Sequence, residues 1–168
     1  MKSFALPMVL AAVLCGCATS LPPEPAPPAP PPTPAQRVGL AEALAVERQW
    51  LASWFRGTPV LVAQLGDGAV TVEVPREFCF DAGRSRVKPA LAAVLNKVAE
   101  SLVRLPQAHV VLIAAPEDAA GSAQLGLQRA AQVHDYLRSR GVPAVRLGKP
   151  SAAANATVQL RLEGPPAL

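Results

Sequence analysis

Residues 21–34 hold nine prolines in fourteen positions, a run that excludes most regular structure. Each proline fixes φ and lacks a backbone donor, so neither a helix interior nor a sheet ladder can form there, which leaves polyproline II. At about 3.1 Å per residue such a stretch spans roughly 40 Å, the dimension of a semi-rigid spacer. It divides the 168-residue chain into a short leader and a body long enough for one domain. Read instead as a ligand for a partner domain, the run carries no flanking residues that would give specificity.

The leader begins with Lys2, continues as an apolar run from Ala5 to Leu14 and ends in Cys15, Gly16 and Cys17. One cation, an apolar core of this length and a small residue before the cut predict an export signal over residues 1–16, too short to span a bilayer. Leu14-Cys15-Gly16-Cys17 also resembles a bacterial lipobox, with Cys15 where Ala or Ser is usual. The resemblance implies that Cys17 is lipidated, carrying palmitate and further acyl chains, as the first residue of a lipoprotein. At about 0.8 kcal/mol per buried methylene, several chains would anchor it permanently. The alternative is an ordinary secreted protein. Ala18 and Thr19 lack the aspartate that resembles an inner-membrane retention signal, so the expected address is the outer membrane, facing the periplasm, with residues 17–35 as lipidated cysteine and tether.

The 16 Lys and Arg exceed the 12 Asp and Glu only slightly and are scattered, so nucleic acid is not indicated. With 4% aromatics, the core must be built from Val, Leu and Ala. Cys79, alone in the body, reads as a small buried hydrophobe rather than a nucleophile, since no cation or base is clearly placed beside it. His109 and His134 fall in no metal-ligand motif, and there is no Gly-rich phosphate loop or nucleophile elbow. A non-catalytic protein without metal or cofactor is expected.

Residues 36–56 predict an amphipathic helix, with Leu40, Leu44, Val46, Leu51, Trp54 and Phe55 as its apolar stripe and Glu42, Glu47, Arg48 and Gln49 as its polar side. Trp50 and Trp54, four apart, form a candidate docking surface for an envelope protein. Residues 60–63 and 69–74 flank Gly66-Asp67-Gly68, a hairpin signature, with Val70, Val72 and Val74 facing inward. Residues 78–83 read as a loop with apolar anchors. Pro89 opens a helix carrying Leu91, Val94, Leu95, Val98, Leu102 and Leu105, which Pro106 stops. Residues 109–114 read as a central strand. A second helix, capped by Ser122 and closed by Gly141 and Pro143, buries Leu125 or Gly126, Ala130, Val133 and Leu137. Residues 157–162 end the fold as a strand with Val158, Leu160 and Leu162 inward. This order of β-hairpin, α, β, α, β predicts an α+β fold, a two-layer α/β sandwich whose mixed sheet carries helices on one face.

The turn Pro116-Glu117-Asp118 leads into the helix that bears Arg129. A carboxylate at a loop mouth and a guanidinium further along the next helix suit a zwitterion, the acid holding an ammonium and the arginine fork a carboxylate. The bland reading makes Asp118 turn chemistry and Arg129 a solvated helix residue.

Phe80-Asp81-Ala82-Gly83, Val87-Lys88-Pro89, Leu95, Val98-Ala99, Leu102 and Pro106, followed by Arg129-Ala130, Val133, Tyr136-Leu137, Gly141-Val142 and Asn155, together resemble an OmpA-like domain of the Pal type over residues 57–164. The resemblance implies a peptidoglycan-binding protein of the Gram-negative cell envelope. In that family a loop aspartate and a helix arginine grip the diaminopimelate residue of the stem peptide, which maps the site onto Asp118 and Arg129, with Ser122 at the family's asparagine position and Glu117 as an alternative acid. Leu125 matches, while Gly126 replaces a serine and Ala156 and Thr157 replace a pair of arginines. The family's loop histidine and threonine are missing. The connection from acid to helix is shorter by about four residues, enough to move backbone by several Å against a hydrogen-bond reach of about 3.5 Å. The expected function is therefore peptidoglycan binding that ties the outer membrane to the wall; the alternative is a structural or protein-interaction subunit of an envelope complex.

Overall fold

The computed structural model describes residues 33–118 and 123–164. The expected export signal, Cys17, the proline tether as far as residue 32, Gly121 and Ser122 lie outside the described residues, whereas Pro34 and Ala35, expected to end the tether, instead open α1, where a leading proline costs no helical hydrogen bond. The elements run α1 (Pro34–Trp54), β1 (Leu61–Gln64), β2 (Val70–Pro75), α2 (Arg76–Cys79), α3 (Pro89–Arg104), β3 (His109–Pro116), α4 (Ala123–Ser139), a 3-10 turn (Ala144–Arg146), β4 (Pro150–Ala153) and β5 (Thr157–Glu163). They form a mixed five-stranded sheet in the order β1-β2-β5-β3-β4. β5 is antiparallel to both β2 and β3, so those two run parallel with β5 inserted between them. β4 pairs parallel to β3 at the edge.

Alternation along the strands sorts the two faces. Val70, Val72 and Val74 of β2 and Val158, Leu160 and Leu162 of β5 are buried, as read from their spacing. Against them pack Leu91, Leu95, Val98 and Leu102 of α3 and Ala130, Val133 and Leu137 of α4. Each fully buried Val or Leu contributes about 1.5–3 kcal/mol of transfer free energy, so this aliphatic interface dominates the stability of the fold. The opposite face is polar, with Gln159 donating to Glu73 at 3.2 Å and Arg161 pairing with Asp67 and Glu163. The hairpin forms around Gly68, whose φ of 85° a residue with Cβ adopts only at a cost.

Helix α1 joins the same core through Leu40, Leu44 and Leu51. Glu47, placed by its neighbours on the polar side, is instead buried against α3: it accepts from Ser101 Oγ at 2.7 Å and from Arg104 Nε at 2.9 Å and Nη2 at 2.6 Å. Val46, read as part of the apolar stripe, is instead 66% exposed, so Glu47 and Val46 exchange the sides expected of them.

Three elements were not legible in the order hairpin, helix, strand, helix, strand. Residues 76–79 close a single helical turn in place of a loop, with Cys79 and Phe80 buried and Phe78 40% exposed. The 3-10 turn carries Arg146, whose guanidinium donates to the carbonyls of Leu102, Leu105 and Ala108 and so closes the end of α3. β4 reads Pro-Ser-Ala-Ala and has no β-branched or aromatic residue to mark it. It forms because β3 offers an open edge, and at such an edge a leading proline is tolerated.

Candidate functional site

Because β2 and β3 run parallel on either side of β5, their C-terminal ends lie at the same end of the sheet, and the residues that follow them meet there. β3 delivers Pro116, Glu117 and Asp118; β2 delivers Arg76, the first residue of α2. α4 reaches this corner because position 126 lacks a side chain. A Cβ there would lie 2.9 Å from the Ala115 carbonyl oxygen, 3.0 Å from Ala152 Cβ and 3.1 Å from Glu117 Cγ. Gly126, rather than Leu125, is the residue that α4 buries at this level.

One turn further along α4, Arg129 points inward and is fully buried. Nε donates to the Arg84 carbonyl at 2.9 Å, Nη1 to the Pro116 carbonyl at 2.9 Å, and Nη2 to the Asp81 carbonyl at 3.1 Å. Nη2 also meets Asp118 Oδ1 at 2.9 Å, and the Phe80 ring centroid lies 5.0 Å from Cζ. A buried guanidinium survives only where such bonds offset several kcal/mol of lost hydration. The expected convergence of Asp118 and Arg129 is present, but the fork is occupied by the protein's own acceptors.

Asp118 keeps 30% of its side chain exposed. Its Oδ2 accepts from the Gly83 backbone N–H at 2.6 Å, and Gly83 takes a φ of 65° that presents this donor. That N–H, then the Arg129 guanidinium, then Arg76, hold the carboxyl below the usual carboxylate range. Asp118 and Arg129 together therefore fasten residues 81–84 to the end of β3. Glu117 is half-buried and contributes its carbonyl, which accepts from Arg76 Nη1 at 3.0 Å.

Arg76 was not singled out from the sequence. Its Nη1 stands 3.9 Å from Asp118 Oδ1, with 35% of the side chain exposed. The signal lay in topology: a residue just past β2 must sit beside a residue just past β3 once the two strands run parallel.

Trp50 and Trp54 stack edge to face, with centroids 6.1 Å apart. Arg104 Cζ lies 3.8 Å from the Trp50 centroid and Lys97 Nζ 4.1 Å from that of Trp54, so α3 already covers part of both rings. Trp54 remains 54% exposed. Cys79 is buried, its thiol pushed up to about 12 by that burial. Among the described residues, no group of three His, Cys, Asp or Glu is placed to hold a metal ion.

No protein-family model matches the chain. The probable lipoprotein YiaD of Escherichia coli (strain K12) is 31% identical over 112 residues, 65% of this chain and 51% of that protein. The chain thus spans about half the length of the curated relative it matches. A MotB-like protein from Desulfovibrio vulgaris superposes with a TM-score of 0.62 at 18% identity, over 77% of this chain and 96% of that one. The cell wall anchor of the T6SS from Pseudomonas aeruginosa gives 0.52 at 18% identity, over 77% and 99%. At these identities the likeness is one of fold, and it agrees with the order and spacing of the motifs: the body of the chain has the OmpA-like α+β fold.

Proposed function

We propose that this protein is a non-catalytic peptidoglycan-binding lipoprotein, held by Cys17 in the outer membrane and facing the periplasm, that ties the envelope to the wall. The observation that carries this reading is Asp118: an ionised carboxylate, partly open to solvent, fixed at the end of β3 by Gly83 and Arg129. It suits the ammonium of a diaminopimelate residue in a stem peptide, with Arg129 keeping the acid charged and oriented. The likeness in fold to a cell wall anchor and the sequence match to a probable lipoprotein support the same reading. The test is co-sedimentation of the full-length protein with purified sacculi. Asp118→Asn should lose about tenfold or more in affinity, the scale of a charge-assisted hydrogen bond. Retention of Asp118→Asn at the wild-type level would remove the site.

A second reading, a structural or interaction subunit of an envelope complex, is favoured by one specific feature. Beside the exposed Trp54 lies an apolar groove of about 470 Å³ lined by Trp54, Phe55, Pro59, Phe78 and Val94, with Lys97 at its margin. A protein that ignores sacculi but captures an envelope partner in a Trp54-dependent manner would select it.

A further inference from the structure

We propose that Arg76, not Arg129, supplies the carboxylate-binding half of this site. The consequence is selectivity for stem peptides whose diaminopimelate carboxylate, beside the ammonium, is free rather than amidated. This inference rests on the wall-binding reading and names the chemistry that the site distinguishes.

The two arginines differ in how many of their donors are free among the described residues. A guanidinium has five N–H groups. In Arg129 four of them are taken, by the carbonyls of Asp81, Arg84 and Pro116 and by Asp118, and the side chain has no exposure. To receive a ligand carboxylate it would have to abandon acceptors that become orphans when it leaves. Among the described residues Arg76 commits only Nη1, to the Glu117 carbonyl, and its Nε and Nη2 meet no acceptor. Those two nitrogens form one edge of the planar fork, the edge that grips a carboxylate in two parallel bonds.

The two arginines also differ in position. Arg76 and Asp118 are the partly exposed members of the cluster, with side chains 35% and 30% open, and their nearest charged atoms are 3.9 Å apart. In an amino-acid head group the ammonium and the carboxylate share one carbon, so their two receptors must be neighbours. Asp118 with Arg76 meets that condition on the solvent side, whereas Asp118 with Arg129 meets it inside the protein. An amide in place of the carboxylate would bring an NH2 group towards a cation and surrender one of the two parallel bonds.

The experiment measures equilibrium binding of the full-length protein to two soluble diaminopimelate muropeptides that differ only in amidation of that carboxylate. Wild type should prefer the free acid by about tenfold or more, the scale of a charge-assisted bidentate contact. Arg76→Gln should bring the ratio to near unity by weakening the free acid, Arg76→Lys should restore part of it, and Asp118→Asn should weaken both ligands while keeping the ratio. A role for Arg76 confined to holding the Glu117 carbonyl would weaken both ligands alike. The assignment is overturned if wild type shows no preference, if Arg76→Gln retains the ratio, or if Arg84→Gln removes the preference in its place. Failure of the parent reading looks different: Asp118→Asn would then hold sacculi as well as wild type does.

Discussion

The acid–arginine pairs Asp118–Arg129 and Glu47–Arg104 are inverted in their burial. In Asp118–Arg129 the arginine is fully enclosed and the acid is 30% open. In Glu47–Arg104 the acid is 11% open and the arginine 42%. The enclosed member of each pair is fixed by extra bonds, three carbonyls for Arg129 and Ser101 for Glu47, and the open member is what solvent meets. One pair thus offers an anion at the end of β3. The other offers a cation, which lies over Trp50 and helps hold α1 against α3. The charge a site presents depends on which partner the fold encloses, not on the pair's composition.

Replacing the enclosed member of each pair should have unequal consequences. Arg129→Ala orphans three carbonyls and strands Asp118, and should cost about 3–5 kcal/mol, read as a fall in the urea midpoint. Arg129→Lys keeps the charge without the fork and should recover only part of that loss. Glu47→Gln should cost about 1–3 kcal/mol, since Ser101 and Arg104 keep a neutral acceptor. Equal losses for Arg129→Ala and Glu47→Gln would erase the proposed difference in enclosure. Asp118→Asn should cost about 1 kcal/mol in stability, because one amide oxygen can still accept from Gly83 or Arg129, while its effect on sacculus binding is the larger one.

Both acids also titrate below their ordinary values in the folded protein. Gly83, Arg129 and Arg76 hold the Asp118 carboxyl below its ordinary value of 3.8. For Glu47, burial pushes the carboxyl up, but the bonds from Arg104 and Ser101 prevail and leave it below 4.5. A depressed folded pKa means that each carboxylate stabilises the fold above its ordinary value, and that this contribution disappears as pH falls through the folded one. Acid unfolding followed by circular dichroism should therefore lose part of its steepness below about pH 4 in Asp118→Asn and in Glu47→Gln. An unchanged acid limb in both variants would show that neither pair contributes there.

Much of the core was legible because it obeys simple periods: two along β2 and β5, three to four along α3 and α4. β4 was not, since a strand of proline, serine and alanine forms only because a neighbouring edge is open. Glu47 was misassigned because Glu42, Arg48 and Gln49 around it are polar, and nothing local marks the one acid that a distant Ser101 and Arg104 enclose. At the site, the meeting of Asp118 and Arg129 could be anticipated from a turn and a helix. The inward direction of Arg129 could not, because its acceptors at Asp81 and Arg84 lie more than forty residues earlier. Arg76 required the relative direction of two strands that are not adjacent in the sheet.

The slot that β5 fills has a temporal consequence. Synthesis proceeds from the N-terminus, so β2 and β3 exist long before the segment that zips them together, and until it arrives each exposes an inner edge hungry for partners. Ribosome-bound or truncated chains ending before residue 157 should be sticky intermediates, and this domain should mature in one late step.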